Sequence, residues 1–375
     1  MALPPWPPQL RYSSGRGWLD QLRVVPNGGG RRSHPGDWRG GRGWCGKRHA
    51  ASRLPGVVRL AGFKRHGVRP DCGFGGRRVR AGGRHGTHRV NSFEKKLSDD
   101  GTLIVTFNEL STGWEQWILV TSDRHWDSVH SDRAMQRRHL EEAVARNALI
   151  IDLGDLFDAM QGRDDRRGSK SSIRPEHQTA DYFTSLVETA ADWFEPYASN
   201  LLMLGTGNHE TAIVRHNEIN LTWHLGRALN AKGANVHLGR YSGWIKFQGR
   251  AHKSKRTFTN SIFTYYHHGS GGSSPVTKGV IQTNRRATFL PDANVVLSGH
   301  IHQHWLVPIT RERINNYGNT FTDTQMHVSV PSYKMPSRRE GWETERGMAP
   351  SPLGAVWWRL YYFDKELRSE FTWAR

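Results

Sequence analysis

Apolar and polar positions alternate along the chain in a pattern that predicts strands and helices from about residue 100 onwards. Short apolar runs that end in polar or glycine residues predict strands at 102–107, 117–121, 149–153 and 201–204. Apolar residues at helical spacing predict helices at 132–146, 179–193 and 219–231. Ser131 is the predicted cap of the first helix, and Gly233 is the predicted end of the third. Strands and helices in alternation are typical of α/β proteins.

The second half of the chain has a different pattern, since most of its apolar runs are short and few have helical spacing. These runs predict further strands at 244–247, 261–267, 295–297, 305–308, 326–330 and 356–363. The sequence shows no internal repeat. We therefore expect two sheets packed face to face, with helices on the outside.

The positive charge of the chain is concentrated in its first quarter. The formal net charge is +19, but residues 1–91 hold 17 Arg and 2 Lys against 3 Asp, a net +16, and this leaves +3 for residues 92–375. Glycine, arginine and proline crowd the same segment, without helical or strand periodicity. Such a composition buries too little apolar area to offset the entropy cost of ordering, so we predict a disordered leader.

Two interpretations of this leader stay open. It is either an Arg/Gly-rich tail that binds the phosphate backbone of nucleic acid, or upstream sequence translated ahead of a start at Val90. Protein-like texture begins at 90–96. The predicted organisation is a leader at 1–91 and one folded domain at 92–375.

The cysteine content restricts the chemistry of the predicted domain. Cys45 and Cys72 are the only cysteines, and both lie in the leader. The domain therefore builds neither disulfides nor thiolate metal sites, and a metal there must be held by His, Asp, Asn or Glu. No apolar run approaches the roughly 20 residues that span a bilayer, and no secretory signal is evident. We expect a soluble protein without a membrane partner, in the cytoplasm of a bacterium or of a phage-infected host cell.

Five short polar segments each follow an apolar run, where the carboxyl edge of a sheet would bring them together. They are Asp123-Arg124-His125, Gly154-Asp155-Leu156-Phe157-Asp158, Gly207-Asn208-His209-Glu210, His267-His268-Gly269 and Gly299-His300-Ile301-His302. Each segment alone is also compatible with an ordinary turn or strand exit. Five of them in this order indicate a shared site.

In these five segments the chain resembles the calcineurin-like metallophosphoesterases, and phage and bacterial members in particular. The family pattern is Asp-x-His, Gly-Asp-x-x-Asp, Gly-Asn-His-Asp/Glu, a lone His and Gly-His-x-His, and every block is present in order. The resemblance covers roughly residues 100–370. It implies a four-layer αββα sandwich, in which two mixed β-sheets are flanked by helices, and a centre that holds two divalent metal ions.

Carried over residue by residue, the resemblance implies which side chains hold each metal. Asp123, His125 and His302 would hold one ion. Asn208, His300 and a histidine of the His267-His268 pair would hold the other, and Asp155 would bridge the two. Because His267 directly ends the predicted strand, it is slightly favoured over His268. The resemblance also places His209 beside the leaving group, oriented by Asp158.

The ligand types agree with that assignment. Carboxylate, imidazole and amide oxygen suit Mn, Fe or Zn, and we favour Mn. The expected activity is hydrolysis of a phosphate ester by a hydroxide that bridges the two metals. Arg124 lies between two of the expected ligands and would either bind phosphate or point away from the site.

The substrate stays open at the level of sequence. The first hypothesis is a phosphodiesterase that cleaves DNA or RNA, as a nuclease does, with nucleic acid as its partner. The second is a phosphomonoesterase that acts on nucleotides or phosphoproteins. A hypothesis of another class is a non-catalytic scaffold or a nucleic-acid-binding protein, since a fold alone does not select a function.

Overall fold

The computed structural model describes residues 92–159, 172–253, 256–272, 274, 276–335 and 350–374. The leader at 1–91, for which the sequence predicts disorder, lies outside the described residues. The described part contains five α-helices: α1 (Arg133–Ala145), α2 (Tyr182–Phe194), α3 (Asn208–Asn217), α4 (Leu221–Ala231) and α5 (Ile281–Phe289). None of these helices has both the length and the apolar character that a bilayer crossing requires.

Thirteen strands in the same ranges form two sheets. They are β1 (Phe93–Leu97), β2 (Leu103–Phe107), β3 (Glu115–Thr121), β4 (Leu149–Asp152), β5 (Leu201–Leu204), β6 (His237–Leu238), β7 (Ser242–Lys253), β8 (Arg256–His267), β9 (Val295–Ser298), β10 (Trp305–Ile314), β11 (Thr320–Ser329), β12 (Ala355–Phe363) and β13 (Glu366–Ala374).

The six-stranded sheet has the order β13-β12-β3-β4-β5-β6. Strands β3 to β6 are parallel, and β12 and β13 add an antiparallel edge. Every residue of β4 and of β5 is buried. A continuous apolar run without alternation is typical of a parallel strand that is covered on both faces, and the runs at 149–151 and 201–204 have this character.

The seven-stranded sheet has the order β1-β2-β7-β8-β9-β11-β10. Strands β8, β9 and β11 are parallel neighbours, and β2 is parallel to β7. The pairs β1–β2, β7–β8 and β10–β11 are antiparallel. Both sheets are therefore mixed, as the sequence predicted.

The main core lies between the two sheets. One cluster of buried apolar residues combines Val105 and Phe247 of the seven-stranded sheet with Val120, Ile151 and Trp358 of the six-stranded sheet. Because each sheet contributes apolar side chains to a single cluster, the sheets are packed face to face.

Helices cover both outer faces. A second cluster joins Leu140 of α1, Leu186 of α2 and Leu225 of α4 to Leu119 and Ile150, on the outer face of the six-stranded sheet. On the other side, a small cluster joins the residues that end and follow α5 to the outer face of the seven-stranded sheet, and its members are Leu290, Ala293, Val296, Trp244 and Tyr265. The predicted four-layer αββα sandwich is confirmed.

The elements differ from the sequence prediction mainly where the pattern is polar. Helix α1 is capped by Asp132, whose side chain accepts a hydrogen bond from Met135 N at 2.9 Å, and not by Ser131. The sequence pattern missed α3, α5 and the edge strands β1, β6 and β13. Exposed and intermediate positions dominate β1, so its apolar alternation is weak. Helix α3 begins inside the Gly-Asn-His-Glu segment, which reads as a turn.

The packing between the sheets generates the first prediction. Trp358 is fully buried, and its ring lies 5.1 Å from that of Phe247 and 5.4 Å from that of Phe371. We expect Trp358→Ala to lower the free energy of unfolding by about 3–5 kcal/mol, because it leaves a large cavity. Urea unfolding measures the change. Trp223→Ala is the control, since that ring is 42% exposed, and it should change stability by less than about 1 kcal/mol. Equal effects of the two substitutions would contradict the proposed packing.

Candidate metal centre

The candidate site lies where strands of both sheets end. Asp123 follows β3, Asp155 follows β4, and α3 begins at Asn208 shortly after β5. From the other sheet, His268 follows β8 and His300 follows β9. Neighbouring parallel strands present their carboxyl ends at the same edge of a sheet. All five predicted polar segments therefore meet at one place.

Hydrogen bonds join these loops to one another. Asp123 N donates to Gly154 O at 2.9 Å, and His125 N donates to Asp155 O at 3.0 Å, so the loops after β3 and β4 are paired. His300 N donates to Asp123 Oδ2 at 2.8 Å and so connects the two sheets. The relative positions of the loops are therefore fixed by protein contacts.

The first cluster of donor atoms consists of Asp123, His125 and His302. One ligand atom of each residue lies within 4.8 Å of the others. The Nε2 atoms of His125 and His302 are 3.4 Å apart, and His302 Nε2 is 3.3 Å from Asp123 Oδ1. Asp123 is fully buried, whereas the His302 side chain is 19% exposed. The cluster therefore opens to solvent on the His302 side.

The second cluster consists of Asp155, His268 and His300, by the same distance criterion of 4.8 Å. His268 Nε2 lies 3.1 Å from Asp155 Oδ2. Asn208 joins this group, because its Oδ1 lies 3.0 Å from His268 Nε2 and 2.6 Å from His300 Nδ1. Three types of donor, carboxylate, imidazole and amide oxygen, thus converge on one point.

The structure brings His268 into the second cluster, and not His267, which the sequence slightly favours. His267 ends β8 and packs beside the ring of Tyr241, at 5.2 Å, and its Nδ1 accepts a hydrogen bond from Gly269 N at 2.8 Å. Successive side chains along an extended strand point to opposite faces, so only one of the two adjacent histidines can face the centre. His268 is the one that does, and it is fully buried.

Asp158 has a wider set of partners than the sequence predicted. Its Oδ1 lies 2.8 Å from His125 Nδ1 and 2.8 Å from Lys334 Nζ, but 3.8 Å from His209 Nδ1. The carboxylate therefore orients His125, so that His125 Nε2 faces the first cluster. A carboxylate behind a metal-facing histidine is a common arrangement, because it fixes the tautomer and the ring orientation.

His209 is held most closely by the main chain of Asp158, whose carboxylate lies farther away, with Oδ1 3.8 Å from His209 Nδ1. His209 Nδ1 lies 2.6 Å from the carbonyl oxygen of Asp158. A carbonyl oxygen only accepts, so Nδ1 carries the hydrogen and Nε2 faces the centre, 3.7 Å from Asp155 Oδ2. Burial alone would lower the pKa of His209, but the carboxylates of Asp155 and Asp158 outweigh burial and raise it.

The backbone is strained at this site. Five of the candidate ligands have φ angles in the left-handed region, and they are Asp123 (50°), His125 (42°), Asp155 (51°), His300 (72°) and His302 (51°). Residues other than glycine adopt this region at a cost of the order of 1 kcal/mol or more each, and such residues cluster at functional sites. All five residues with strained backbone lie in the polar segments that the sequence singled out.

Two glycines permit the close approach of the loops. A Cβ atom at Gly207 would overlap Asp155 Oδ1, and one at Gly299 would overlap Ser122 Oγ. The glycines of Gly-Asn-His and Gly-His-x-His are therefore required by space, because any side chain would displace a candidate ligand or its neighbour.

Two buried carboxyl groups support the centre without belonging to either cluster, and sequence reasoning assigned no role to them. Glu210 accepts hydrogen bonds from the N–H groups of Asp155, Phe157 and Gly207 at 3.0, 3.0 and 2.8 Å. Burial, followed by the charge of Asp155, raises the pKa of Glu210 to about 7. Its position in the Gly-Asn-His-Glu segment was the available sequence signal.

Asp127 performs the same task on the other side of the site. Its Oδ1 accepts a hydrogen bond from Asp158 N at 2.5 Å, and its Oδ2 accepts from Ala159 N at 2.9 Å and from the Tyr182 hydroxyl at 3.0 Å. Asp127 thus fixes the loop that carries Asp158. A position two residues after His125 gave no sequence signal for this role.

Arg124 points away from the centre, which settles the alternative left open by the sequence. Its side chain is 1% exposed, and Nε donates to Asp152 Oδ2 at 2.7 Å. The guanidinium also donates to Thr121 Oγ1 and to Gln136 Oε1. Because Arg124 is enclosed by these partners, it joins the ends of β3 and β4 beneath the site and does not reach a substrate.

The charges at the centre fit a cation. Burial alone would raise the pKa of Asp155, but the imidazoles of His209 and His268 hold it well below its usual value. Burial alone would lower the pKa of His268, yet Asp155 raises it to about 9. Asp123 Oδ1 is buried, and His302 Nε2 lies 3.3 Å from it. Buried carboxylates that face imidazole nitrogens suit divalent metal ions with oxygen and nitrogen ligands.

The comparisons with known proteins agree with this chemistry. The sequence profile described as calcineurin-like phosphoesterase matches residues 117–304, a range that contains all the residues of both clusters. No curated protein matches the sequence.

Among solved structures, several cover most of the folded region. A predicted phosphoesterase from Streptococcus pneumoniae has 11% identity and a TM-score of 0.27, and the match covers 70% of this chain and 92% of that one. Vacuolar Protein Sorting 29 from Cryptosporidium parvum has 8% identity and a TM-score of 0.29, with 69% and 98% covered. GAP50, the anchor in the inner membrane complex of Plasmodium, has 10% identity and a TM-score of 0.38, with 70% and 85% covered.

Metal binding should release a proton from His268. In the metal-free protein the pKa of His268 is raised to about 9, and a histidine must be neutral to coordinate a metal. We therefore expect the affinity for Mn²⁺ to rise by about tenfold per pH unit between pH 7 and 9, and to level off above pH 9. Isothermal titration calorimetry in buffers of different ionisation enthalpy measures the released proton.

The two adjacent histidines offer a matched control. Burial, with the charge of Arg286, lowers the pKa of His267 to about 4, so His267 is already neutral at pH 7. His268→Ala should abolish the release and weaken binding, whereas His267→Ala should leave both close to the wild-type values. A release of the same size in His268→Ala would show that the proton has another origin.

Proposed function

The chain belongs to the calcineurin-like phosphoesterase family, and we propose that it is a two-metal phosphodiesterase that cleaves the phosphodiester backbone of nucleic acid. The observation that carries the proposal is the juxtaposition of two donor clusters, Asp123–His125–His302 and Asp155–His268–His300, in each of which two of the three residues are buried. Both are built from ligand types that hold catalytic divalent metals.

Each cluster would hold one ion. Asp123, His125 and His302 are assigned to the first ion, and Asn208, His268 and His300 to the second. Asp155 is assigned to both, because its Oδ2 is 3.1 Å from His268 Nε2 of the second cluster and its main chain is hydrogen-bonded directly to that of His125 in the first. When bound, two such cations lower the pKa of a water molecule and polarise the phosphoryl oxygens. We propose Mn²⁺ as the resident metal.

His209 is proposed to transfer the proton to the leaving oxygen. Its Nδ1 is anchored on the carbonyl oxygen of Asp158, which leaves Nε2 directed at the centre. The neighbouring carboxylates favour the protonated ring, and a protonated imidazole is the form that can donate. Asp158 contributes twice, through its carbonyl to His209 and through its carboxylate to His125.

The choice of a nucleic-acid substrate is supported by charge. Residues 1–91 carry a net +16, which would bind a phosphate backbone by releasing its counterions. The domain at 92–375 carries only +3, so the leader would supply most of the electrostatic attraction. A phosphomonoesterase acting on nucleotides or phosphoproteins is the alternative within the same metal chemistry.

The decisive assay is hydrolysis by the full chain with added Mn²⁺. Four substrates distinguish diester, monoester and DNA hydrolysis. They are bis-p-nitrophenyl phosphate, p-nitrophenyl phosphate, and labelled single- and double-stranded DNA. We expect cleavage of the diester and of DNA, and we expect a chelator to abolish it. His209→Ala should lower kcat by about 10²- to 10⁴-fold, because it removes the proton donor. Asn208→Ala should lower both the activity and the bound metal.

His216→Ala is the matched control, since His216 lies on the same helix as His209 but is exposed. It should leave the activity unchanged. Cleavage of the monoester alone would replace the diester proposal by the phosphomonoesterase. A folded protein that binds two ions and hydrolyses none of the substrates would favour a non-catalytic scaffold.

A further inference from the structure

The segment that follows β11 passes back over the loop that carries Asp123. Ser332 Oγ donates to the carbonyl oxygen of Asp123 at 2.9 Å, and Tyr333 N donates to the same oxygen at 3.1 Å. Asp132 N donates in turn to Tyr333 O at 2.9 Å. These bonds fix the main chain of 332–334 against the site, so the position of the next side chain, Lys334, is determined by the backbone.

Lys334 itself is anchored at both ends. Its N–H donates to Ser332 Oγ at 2.9 Å, and it forms a β-bridge with Ser131. Its Nζ donates to Asp158 Oδ1 at 2.8 Å, the oxygen that also lies 2.8 Å from His125 Nδ1. A single carboxylate oxygen therefore separates the ammonium group from a residue of the first cluster.

The ammonium group lies on the solvent side of that carboxylate. The Lys334 side chain is 24% exposed, whereas that of Asp158 is 6% exposed. An ammonium group has three N–H donors. Within the described ranges, Asp158 accepts the one hydrogen bond of Lys334 Nζ, so two of the three donors have no protein acceptor there and can bind a ligand.

Asp158 does not by itself explain the presence of a lysine here. The same carboxylate oxygen already faces the imidazole of His125 at 2.8 Å, so it has a donor without Lys334. Lysine adds a compact positive charge on the accessible side of a site that otherwise presents carboxylates and imidazoles. A point charge of this kind is a common ligand of phosphate groups.

We propose that Lys334 forms a phosphate subsite at the rim of the centre, where its free N–H groups bind a non-bridging phosphoryl oxygen of the substrate. The subsite rests on the proposed phosphoesterase function, since it places the phosphoryl group between Lys334 and the metal ions. The motif segments that mark the centre do not include it.

The test measures binding of inorganic phosphate to the full chain loaded with Mn²⁺, by isothermal titration calorimetry. Lys334→Met removes the charge and keeps the length of the side chain, and we expect it to weaken phosphate binding by about 10- to 100-fold, the range for a lost charge-assisted hydrogen bond. Lys334→Arg retains the charge and should recover at least part of the affinity.

Lys232→Met is the matched control. Lys232 is 34% exposed and pairs with two carboxylates, Asp192 at 2.8 Å and Glu195 at 2.7 Å, on the surface between α2 and α4. It resembles Lys334 in exposure and in pairing but lies on other elements. Its substitution should leave phosphate binding unchanged.

A second measurement separates the subsite from a purely structural role. Mn²⁺ binding to the metal-free Lys334→Met protein should stay within about threefold of wild type, because Lys334 is not among the donor residues of either cluster. Loss of Mn²⁺ binding, or phosphate affinity within threefold of wild type, would overturn the subsite. A wild-type protein that binds Mn²⁺ but not phosphate would contradict the proposed function itself, and the subsite with it.

Discussion

The constraint on which the rest of the structure depends is the burial of five carboxyl groups in one small region. Asp123, Asp155, Asp158, Asp127 and Glu210 are all 5% exposed or less. Buried like charges repel one another strongly, and each loses the stabilising contact of water. The fold accommodates them by giving every carboxyl group a specific set of N–H donors, histidines or a lysine. The conformation of the loops around the centre is largely determined by the need to give each buried carboxyl group these partners.

Two of these groups act on the backbone. Glu210 accepts three main-chain N–H groups of the loops after β4 and β5, and Asp127 accepts two of the loop that carries Asp158. With these contacts in place, the chain can hold Asp155 and its neighbours at φ angles that are unfavourable in isolation. The buried carboxylates of Glu210 and Asp127 therefore stabilise the strained backbone of the candidate ligands.

The sequence predicted what is local and missed what depends on distance or on a single residue of register. The five motif segments were placed correctly at the sheet edge, because apolar runs that end in polar residues predict both the strands and their exits. Lys334 was not predicted, since it contacts Asp158 across 176 residues. The sequence slightly favours His267 over His268, but the structure places His268 in the second cluster, because the choice depends on where the alternation of β8 ends. Helix α3 was missed because its first turn, Asn208 to Thr211, is entirely polar and hides the helical period.

The first donor cluster joins parts of the chain that lie far apart in sequence. His125 and His302 are 177 positions apart, and the carbonyl oxygen of Asp123 accepts the hydroxyl of Ser332 from 209 positions later. The entropy of closing the intervening chain must be lost before such contacts form. A metal ion bound at this cluster would therefore report that these distant segments have docked, and a chain in which they are apart would have little affinity for it.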